Sequence, residues 1–488
     1  MKIISIDQST SATKALLFSE EGVLLKQANV AHRQYYPQTG WVEHDAEEIY
    51  QNTLKAIGQL VEEGVTDYSL AITNQRETVV VWNRLTGKPV YHAVVWQCMR
   101  GAETCKELKD KGYGPLVQQK SGLLIDPYFS ASGVKWILDY VEGVREAAEA
   151  GHILMGTIDS WLIWKLTEGR VHATDYTNAS RTLLFNIHTL QWDEDLLELF
   201  TIPRSMMGDV RPCDALYGET TAEGLFAKPV QIAGVLGDSH GALAGQMCFS
   251  EGLGKATYGT GSSVMVNIGE QAADAPAGLV TSIGLAALGK TFYAFEGNIH
   301  STGATIKWLA DELKLIDTPA QIEELATSVA DNGGVYFIPA FAGLGAPWWN
   351  ADVRAMICGL TLGTGKAHVC RAALESIGYQ ITDLISAMTQ QAGITLKELR
   401  VDGGPTKNKT LMQFQADLLR VNIVRSEVED ASAFGAFLMN GFARGKWKTF
   451  DEARALWHPD AGICPQDNVV EMTALYNGWQ KAVNQLIK

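Results

Sequence analysis

Short apolar runs suited to strands alternate along the chain with stretches of helical period, which predicts an α/β or α+β architecture. Residues 3–6 open as a strand, and the hydroxyl-rich turn Asp7-Gln8-Ser9-Thr10-Ser11 follows. Residues 15–18 read as a second strand, and the polar stretch Ser19-Glu20-Glu21-Gly22 leads into a third over 23–30. That order is a run of antiparallel hairpins. A helix begins after Asp45: Asp45 is placed to cap it, Glu48 holds the capping-box position, and Ile49, Leu54, Ile57 and Val61 make one apolar stripe. Further on, 68–72 and 231–236 read as strands, and 134–141 and 369–382 as helices.

The opening pattern recurs. Residues 255–258 read as a strand, Gly259-Thr260-Gly261-Ser262-Ser263 as a small hydroxyl turn, and 264–267 as a strand again. Two similar halves with a ligand between them would account for the repeat. The boundary falls near 249–254 and gives halves 1–248 and 249–488. Gly284-Leu285-Ala286-Ala287-Leu288-Gly289-Lys290-Thr291 has the full spacing of a P-loop. A P-loop needs a helix starting at its Lys-Thr end, whereas Thr291-Phe292-Tyr293-Ala294-Phe295 is strand chemistry. A β-hairpin turning at Leu288-Gly289-Lys290 fits better, and it predicts that Lys290 holds no phosphate.

Composition narrows the function. With 40 Lys plus Arg against 55 Asp plus Glu, the formal net charge is −15, which disfavours a nucleic-acid partner. No apolar stretch approaches the roughly 20 residues of a membrane helix. The seven cysteines include no Cys-x-x-Cys pair, so the expectation is buried, reduced thiols in a soluble cytoplasmic protein.

Candidate chemistry clusters where apolar strands end. Asp7 closes the first strand with a carboxylate able to hold Mg²⁺, and Thr10 and Ser11 can form an anion-binding turn; a hairpin-closing Asx turn is the alternative. In Gly237-Asp238-Ser239-His240-Gly241, Asp238 is a candidate general base or simply a helix cap. In Asn74-Gln75-Arg76-Glu77-Thr78, Arg76 and Glu77 suit a polyhydroxylated ligand, or form a surface ion pair. Trp96 offers a flat wall to a polyol, or packs in the core. In Val401-Asp402-Gly403-Gly404-Pro405 the glycines permit close approach to a phosphorylated ligand, or make an ordinary turn before a helix from Asn408.

Together these residues resemble the FGGY carbohydrate kinases, and among them the glycerol kinases, over essentially the whole chain. The resemblance is carried by Gly40-Trp41-Val42-Glu43-His44-Asp45, by Ile72-Thr73-Asn74-Gln75-Arg76-Glu77-Thr78, and by Asp126-Pro127-Tyr128-Phe129-Ser130 with Lys135-Trp136-Ile137-Leu138-Asp139. It continues through Asp175-Tyr176-Thr177-Asn178-Ala179-Ser180-Arg181-Thr182, Gly343-Leu344-Gly345-Ala346-Pro347, and Gly359-Leu360-Thr361 with Ala373-Leu374-Glu375-Ser376. It implies an actin-like fold of two ribonuclease-H-like domains with the active site in the interdomain cleft. It also implies ATP-dependent phosphorylation of a terminal hydroxyl of a small polyol or sugar, with ATP and Mg²⁺, in a dimer or tetramer.

Carried onto this chain, the resemblance makes Asp238 the catalytic base. Arg76, Glu77, Trp96 and Tyr128 fall at polyol-binding positions, Asp7 at the Mg²⁺ carboxylate, and Thr10, Ser11 and Lys14 at the first phosphate turn. Thr260, Gly303, Gly404 and Asn408 fall on the nucleotide side. The chain departs from the family at four places. Ser239 stands for a Gln and Ser263 for a Phe, both at acceptor-contacting positions; Ser9 stands for a Gly, and Lys307 for a Gln near the nucleotide. A Ser in place of Phe gives up roughly 1–3 kcal/mol of apolar contact with a three-carbon ligand. The expectation is therefore a glycerol-kinase-like enzyme whose pocket also suits a longer polyol or ketose such as xylulose, ribulose or erythritol. Residues 222–228 carry neither of the regulatory features known in some relatives. A rival of another class is an actin-like ATP-binding switch with no acceptor.

Overall fold

The computed structural model describes every residue of the chain except Trp349, Ala351, Glu427 and Glu429. Two six-stranded sheets organise it. In the first, the strand order is Leu216–Thr220, Val230–Gly237, Tyr68–Asn74, Lys2–Gln8, Ala12–Ser19 and Leu24–Ala31. In the second it is Val280–Ala287, Lys290–Ile299, Ser262–Gly269, Leu253–Tyr258, Glu398–Asp402 and Asn422–Arg425.

The two sheets share one plan. Lys2–Gln8 pairs antiparallel with Ala12–Ser19 and parallel with Tyr68–Asn74, which in turn runs parallel to Val230–Gly237. Leu253–Tyr258 pairs antiparallel with Ser262–Gly269 and parallel with Glu398–Asp402, which runs parallel to Asn422–Arg425. The strand–turn–strand repeat seen in the sequence is thus the central hairpin of each sheet. This is the duplicated, actin-like architecture that the resemblance implied. Both turns are tighter than expected. The first strand continues through Gln8, so Asp7 lies within it, opposite Lys14. The second hairpin resumes at Ser262, so Ser263 is a strand residue opposite Thr257.

The local expectations hold with shifted ends. Asp45 accepts the Glu47 and Glu48 N–H groups at 2.9 and 3.2 Å and caps the helix Ala46–Gly58. Glu48 does not complete a capping box, because its carboxylate accepts the Arg33 N–H instead. Val61 lies beyond the helix end. The helices read at 134–141 and 369–382 are Ser130–Tyr140 and Lys366–Ala392. The cysteines are less uniform than expected: all are free, but Cys464 is exposed and Cys358 only half-buried. Among the described residues no helix is long and apolar enough to cross a membrane.

Two helices rich in small residues tie the halves together. Asp238–Gly245 leaves the first sheet, and Ala431–Ala443 leaves the second yet packs beneath the first. Where they cross, a Cβ on Gly435 would run into the Gly241 carbonyl, and one on Gly245 into the Ala431 carbonyl. Bare backbone is what lets the axes approach. Asn440 then reaches into the first sheet, its Nδ2 donating to Ser69 Oγ at 2.8 Å, Leu70 O at 3.2 Å and Ala233 O at 2.8 Å. Ala233 sits at the irregularity between Ile232 and Val235, so the side chain satisfies a carbonyl released by that break.

The 284–291 segment is the expected hairpin. Val280–Ala287 and Lys290–Ile299 pair antiparallel, and Leu288 and Gly289 both have positive φ, as the tightest hairpin turn requires. Lys290 pairs with Glu270 on the surface.

Two outcomes follow. Lys290→Ala should keep kcat and the KM for ATP within about twofold, where loss of a phosphate-binding lysine would abolish turnover. Gly435→Ala should destabilise the chain by about 1–3 kcal/mol through overpacking, read as a lower midpoint in urea unfolding.

Candidate functional site

The cleft between the sheets gathers charge that the sequence places far apart. Arg76 leaves the loop after Tyr68–Asn74 and is 5% exposed. Its two terminal nitrogens bind both oxygens of Glu296 at 2.8 and 2.6 Å, across 220 residues of chain and across the two halves. Its Nε lies 3.2 Å from Asp238 Oδ1. Glu77 has φ 61°, so its side chain turns away from that of Arg76 and meets Arg181 Nε at 2.6 Å. Arg181 closes the ring on Glu296 at 3.0 Å.

Two guanidinium groups thus face three carboxylates. Burial alone would raise the Glu296 pKa, but the charges of Arg181 and Arg76 outweigh it and hold this carboxyl far below the ordinary range. For Glu77 burial wins, and its pKa rises despite the same two arginines. Burial, then the charge of Arg76, pulls the His240 pKa far down, so the ring is neutral; it contacts Ser282 Oγ at 3.3 Å.

Asp238 is the least enclosed member, 36% exposed. It is the first residue of its helix rather than the cap, which is Gly237. Its Oδ1 also accepts the Ser239 N–H at 2.6 Å. The carboxylate is therefore held from two directions. Beside this network Trp96 and Tyr128 meet edge to face with ring centroids 5.4 Å apart, and Trp96 Nε1 donates to Thr10 Oγ1 at 3.0 Å. Ser239 and Ser263 both stay partly exposed.

Asp7 is 6% exposed, and its Oδ1 is buried without a hydrogen-bond partner. Burial, followed by the charge of Asp430, pushes its pKa well up, with a further contribution from Asp238. Asp7 Oδ1 is thus a buried carboxylate oxygen free to meet a cation, but among the described residues no group of three or more His, Cys, Asp or Glu side chains is placed to hold a metal ion, so the remaining ligands would be nucleotide oxygens and water. Lys14 Nζ is bound to Asp430 Oδ2 at 3.0 Å, so the cation expected at the first phosphate turn is held by an aspartate of the other half. Thr10 is half-buried and Ser11 exposed on that turn.

On the far side, a cavity of about 450 Å³ is lined by Gly303, Ile306, Leu374, Gly404, Asn408 and Leu411, among others. It brings together three of the residues expected on the nucleotide side in an apolar slot of suitable size for a purine. Thr260 O accepts the Thr302 and Ala304 N–H groups, and Gly259 O that of Gly303, each at 3.0 Å, so the second turn is anchored at the mouth of this slot. Asn408 caps the helix Lys409–Leu419 through the Leu411 N–H at 2.8 Å. Lys307 is not part of the lining; it is 75% exposed, with Nζ 4.0 Å from Asp311.

Sequence reasoning gave no role to Glu296, Lys255 or Asp430, and quoted Arg181 only within a motif. The available signal was a lone charge inside an apolar strand: Glu296 follows Thr291-Phe292-Tyr293-Ala294-Phe295, and Lys255 precedes Ala256-Thr257-Tyr258.

Fold and cleft together define a two-domain sugar kinase. The N-terminal domain model of the FGGY family of carbohydrate kinases matches residues 2–245, and the C-terminal domain model of that family matches 254–444. The chain is 48% identical over 485 residues to a glycerol kinase of Bacillus cytotoxicus, covering 99% of this chain and 98% of that one. It is 49% identical over 487 residues to glycerol kinase 2 of Thermotoga maritima, with the same coverage of 99% and 98%. A crystal structure of Plasmodium falciparum glycerol kinase with ADP superposes with a TM-score of 0.96 at 35% identity, covering 100% of this chain and 98% of that one. A xylulose kinase from Lactobacillus acidophilus shares the fold at a TM-score of 0.90 and 19% identity, over 100% of this chain and 98% of that one. The chain belongs to the FGGY family of carbohydrate kinases. It is an ATP-dependent phosphotransferase with an alcohol acceptor, glycerol-kinase-like in sequence and fold.

Removing one partner from a buried ion network strands the others. Glu296→Gln should cost about 3–5 kcal/mol in urea unfolding. Because the folded Glu296 pKa is depressed, this stabilisation is complete above the unfolded value of about 4.3 and fades as pH falls below it. The difference between wild type and variant should be flat from about pH 5 to 8 and shrink below about pH 4.

Proposed function

We propose that this chain transfers the γ-phosphoryl group of ATP to a terminal hydroxyl of glycerol or a closely related polyol, with Asp238 as general base. The supporting observation is the setting of Asp238: a half-open carboxylate in the cleft, held by Arg76 Nε at 3.2 Å and by the Ser239 N–H at 2.6 Å. A base held this way can take the hydroxyl proton as the phosphoryl group arrives. Arg76 and Glu77 are already engaged by Glu296 and Arg181. Their contribution to the acceptor is then a fixed edge of the site, with Trp96 and Tyr128 as its flat wall.

ATP would lie with its base in the slot of Gly303, Gly404 and Asn408 and its phosphates between the turns of Thr10–Ser11 and Thr260. Asp7, with Asp238 nearby, would hold Mg²⁺, which supplies charge neutralisation for the phosphates. Rate enhancement in such a site comes mainly from positioning and charge stabilisation. Water competes as acceptor, so closure over both ligands belongs to the same reading. The halves 1–248 and 249–488 then serve acceptor and nucleotide respectively. A cytoplasmic location and an assembly of two or four copies are proposed on the family resemblance. Family membership weighs against the actin-like switch, since a switch needs no acceptor wall.

Asp238→Asn should fold and bind ADP as wild type does, while kcat falls by about 10²–10⁴-fold. Near-normal turnover in a coupled ADP-release assay would remove Asp238 from the base role.

A further inference from the structure

The sheet face that looks across the cleft at Asp238 carries a third cation that the site described above does not use. Lys255 lies on the strand Leu253–Tyr258 and is 1% exposed. Strand register fixes its neighbours. Thr257 is opposite Ser263, Lys255 opposite Met265, and Met265 opposite Glu296, so Lys255, Thr257, Ser263 and Glu296 share one face. Lys255 Nζ donates to Ser263 Oγ at 3.2 Å and to Thr257 Oγ1 at 3.4 Å. Among the described residues no carboxylate forms an ion pair with it. Burial pulls its pKa down, against the charges of Asp402 and Glu296.

The chemistry of this group is directional. An ammonium has three donors and no acceptor. Each hydroxyl it touches must therefore accept from it and send its own O–H elsewhere. Ser263 and Thr257 have no acceptor for that hydrogen among the described residues, and both are partly exposed to the cleft. The result is a pair of partly exposed hydroxyl groups, each polarised by a buried ammonium and left with a hydrogen to donate. An apolar ligand surface would leave both donors unmet; a ligand oxygen would satisfy them. The pair adjoins the acceptor side, because Ser263 is opposite Asn298, two residues along the strand from the Glu296 that binds Arg76.

We propose that Lys255, acting through Ser263 and Thr257, forms an oxygen-binding wall of the acceptor site, and that the preferred acceptor is a polyol or ketose carrying at least one oxygen more than glycerol. The inference rests on the phosphotransferase reading above and specifies its substrate class. Ser239, next to Asp238 in the chain, is likewise partly exposed.

The test is steady-state kinetics with saturating ATP on glycerol, erythritol, threitol, xylulose and ribulose, using wild type, Lys255→Met, Ser263→Ala and Ser263→Phe. Wild type should favour at least one four- or five-carbon acceptor over glycerol by about tenfold or more in kcat/KM. Each variant should lower that preference by about tenfold, mainly through the KM of the longer acceptor, and Ser263→Phe should lower it most. Where Lys255→Met does not give folded protein, as judged by circular dichroism and ADP binding, the two Ser263 variants decide. Glycerol as the best wild-type substrate overturns the proposal, and so does an unchanged preference in the variants. A fall in kcat of equal size on every acceptor also overturns it, and would assign the wall to the moving phosphoryl group. ATP consumption with no acceptor in the panel overturns the phosphotransferase reading itself, whereas consumption with glycerol alone overturns only the substrate class.

Discussion

The paired grip of Arg76 and Arg181 on Glu296 is the constraint from which the site takes its shape. Glu296 belongs to the second sheet, whereas both arginines come from the first half of the chain. Every member is nearly sealed from water, so the pairing cannot be exchanged cheaply for hydration. Buried ion pairs of this kind add little net stability but are costly to break, and here the arrangement also holds Asp238, the proposed base. Arg76 has one nitrogen left after binding Glu296, and that nitrogen holds Asp238. Any movement that separates the halves at this point would expose two cations and loosen the hold on Asp238. Closure over ligands must therefore pivot near the network rather than through it, and the glycine crossing of Asp238–Gly245 with Ala431–Ala443 lies beside it.

Duplication gives the cleft two equivalent walls with unlike chemistry. In the first sheet Asp7 stands opposite Lys14, one pair before the turn. In the second sheet the same station is held by Thr257 opposite Ser263. One wall presents carboxylates whose charge calls for a cation. The other presents hydroxyls backed by a buried ammonium. The fold thus carries unlike side chains at matching positions of its two central hairpins.

Local chemistry was legible in the sequence and long-range pairing was not. The hairpins, the Asp45 cap, the repeated turn and the hairpin hidden in a P-loop spacing all depend on neighbours within a few residues. Arg76 and Glu77 show the same limit. Adjacent in sequence, they suited a polyhydroxylated ligand or a surface ion pair; both are in fact buried, and the positive φ of Glu77 sends the two side chains to different partners. Glu296 was invisible as a site residue because its significance lies 220 residues away. A single charge in an otherwise apolar strand is the trace such a partner leaves, and Lys255 leaves the same trace.

The way Asp238 is held separates the proposed base from the side chains proposed to line the acceptor site. Its carboxylate rests on Arg76 Nε and on the backbone N–H of Ser239. Neither contact uses the Ser239 side chain, so exchanging a larger residue for serine there alters the pocket without moving the base. Ser263 is likewise joined to Lys255 rather than to the Arg76–Glu296 pair. The two serines proposed to face the acceptor are thus mechanically separate from the contacts that hold Asp238. On the proposed reading, side chains at these two positions can change while the buried ion network stays untouched.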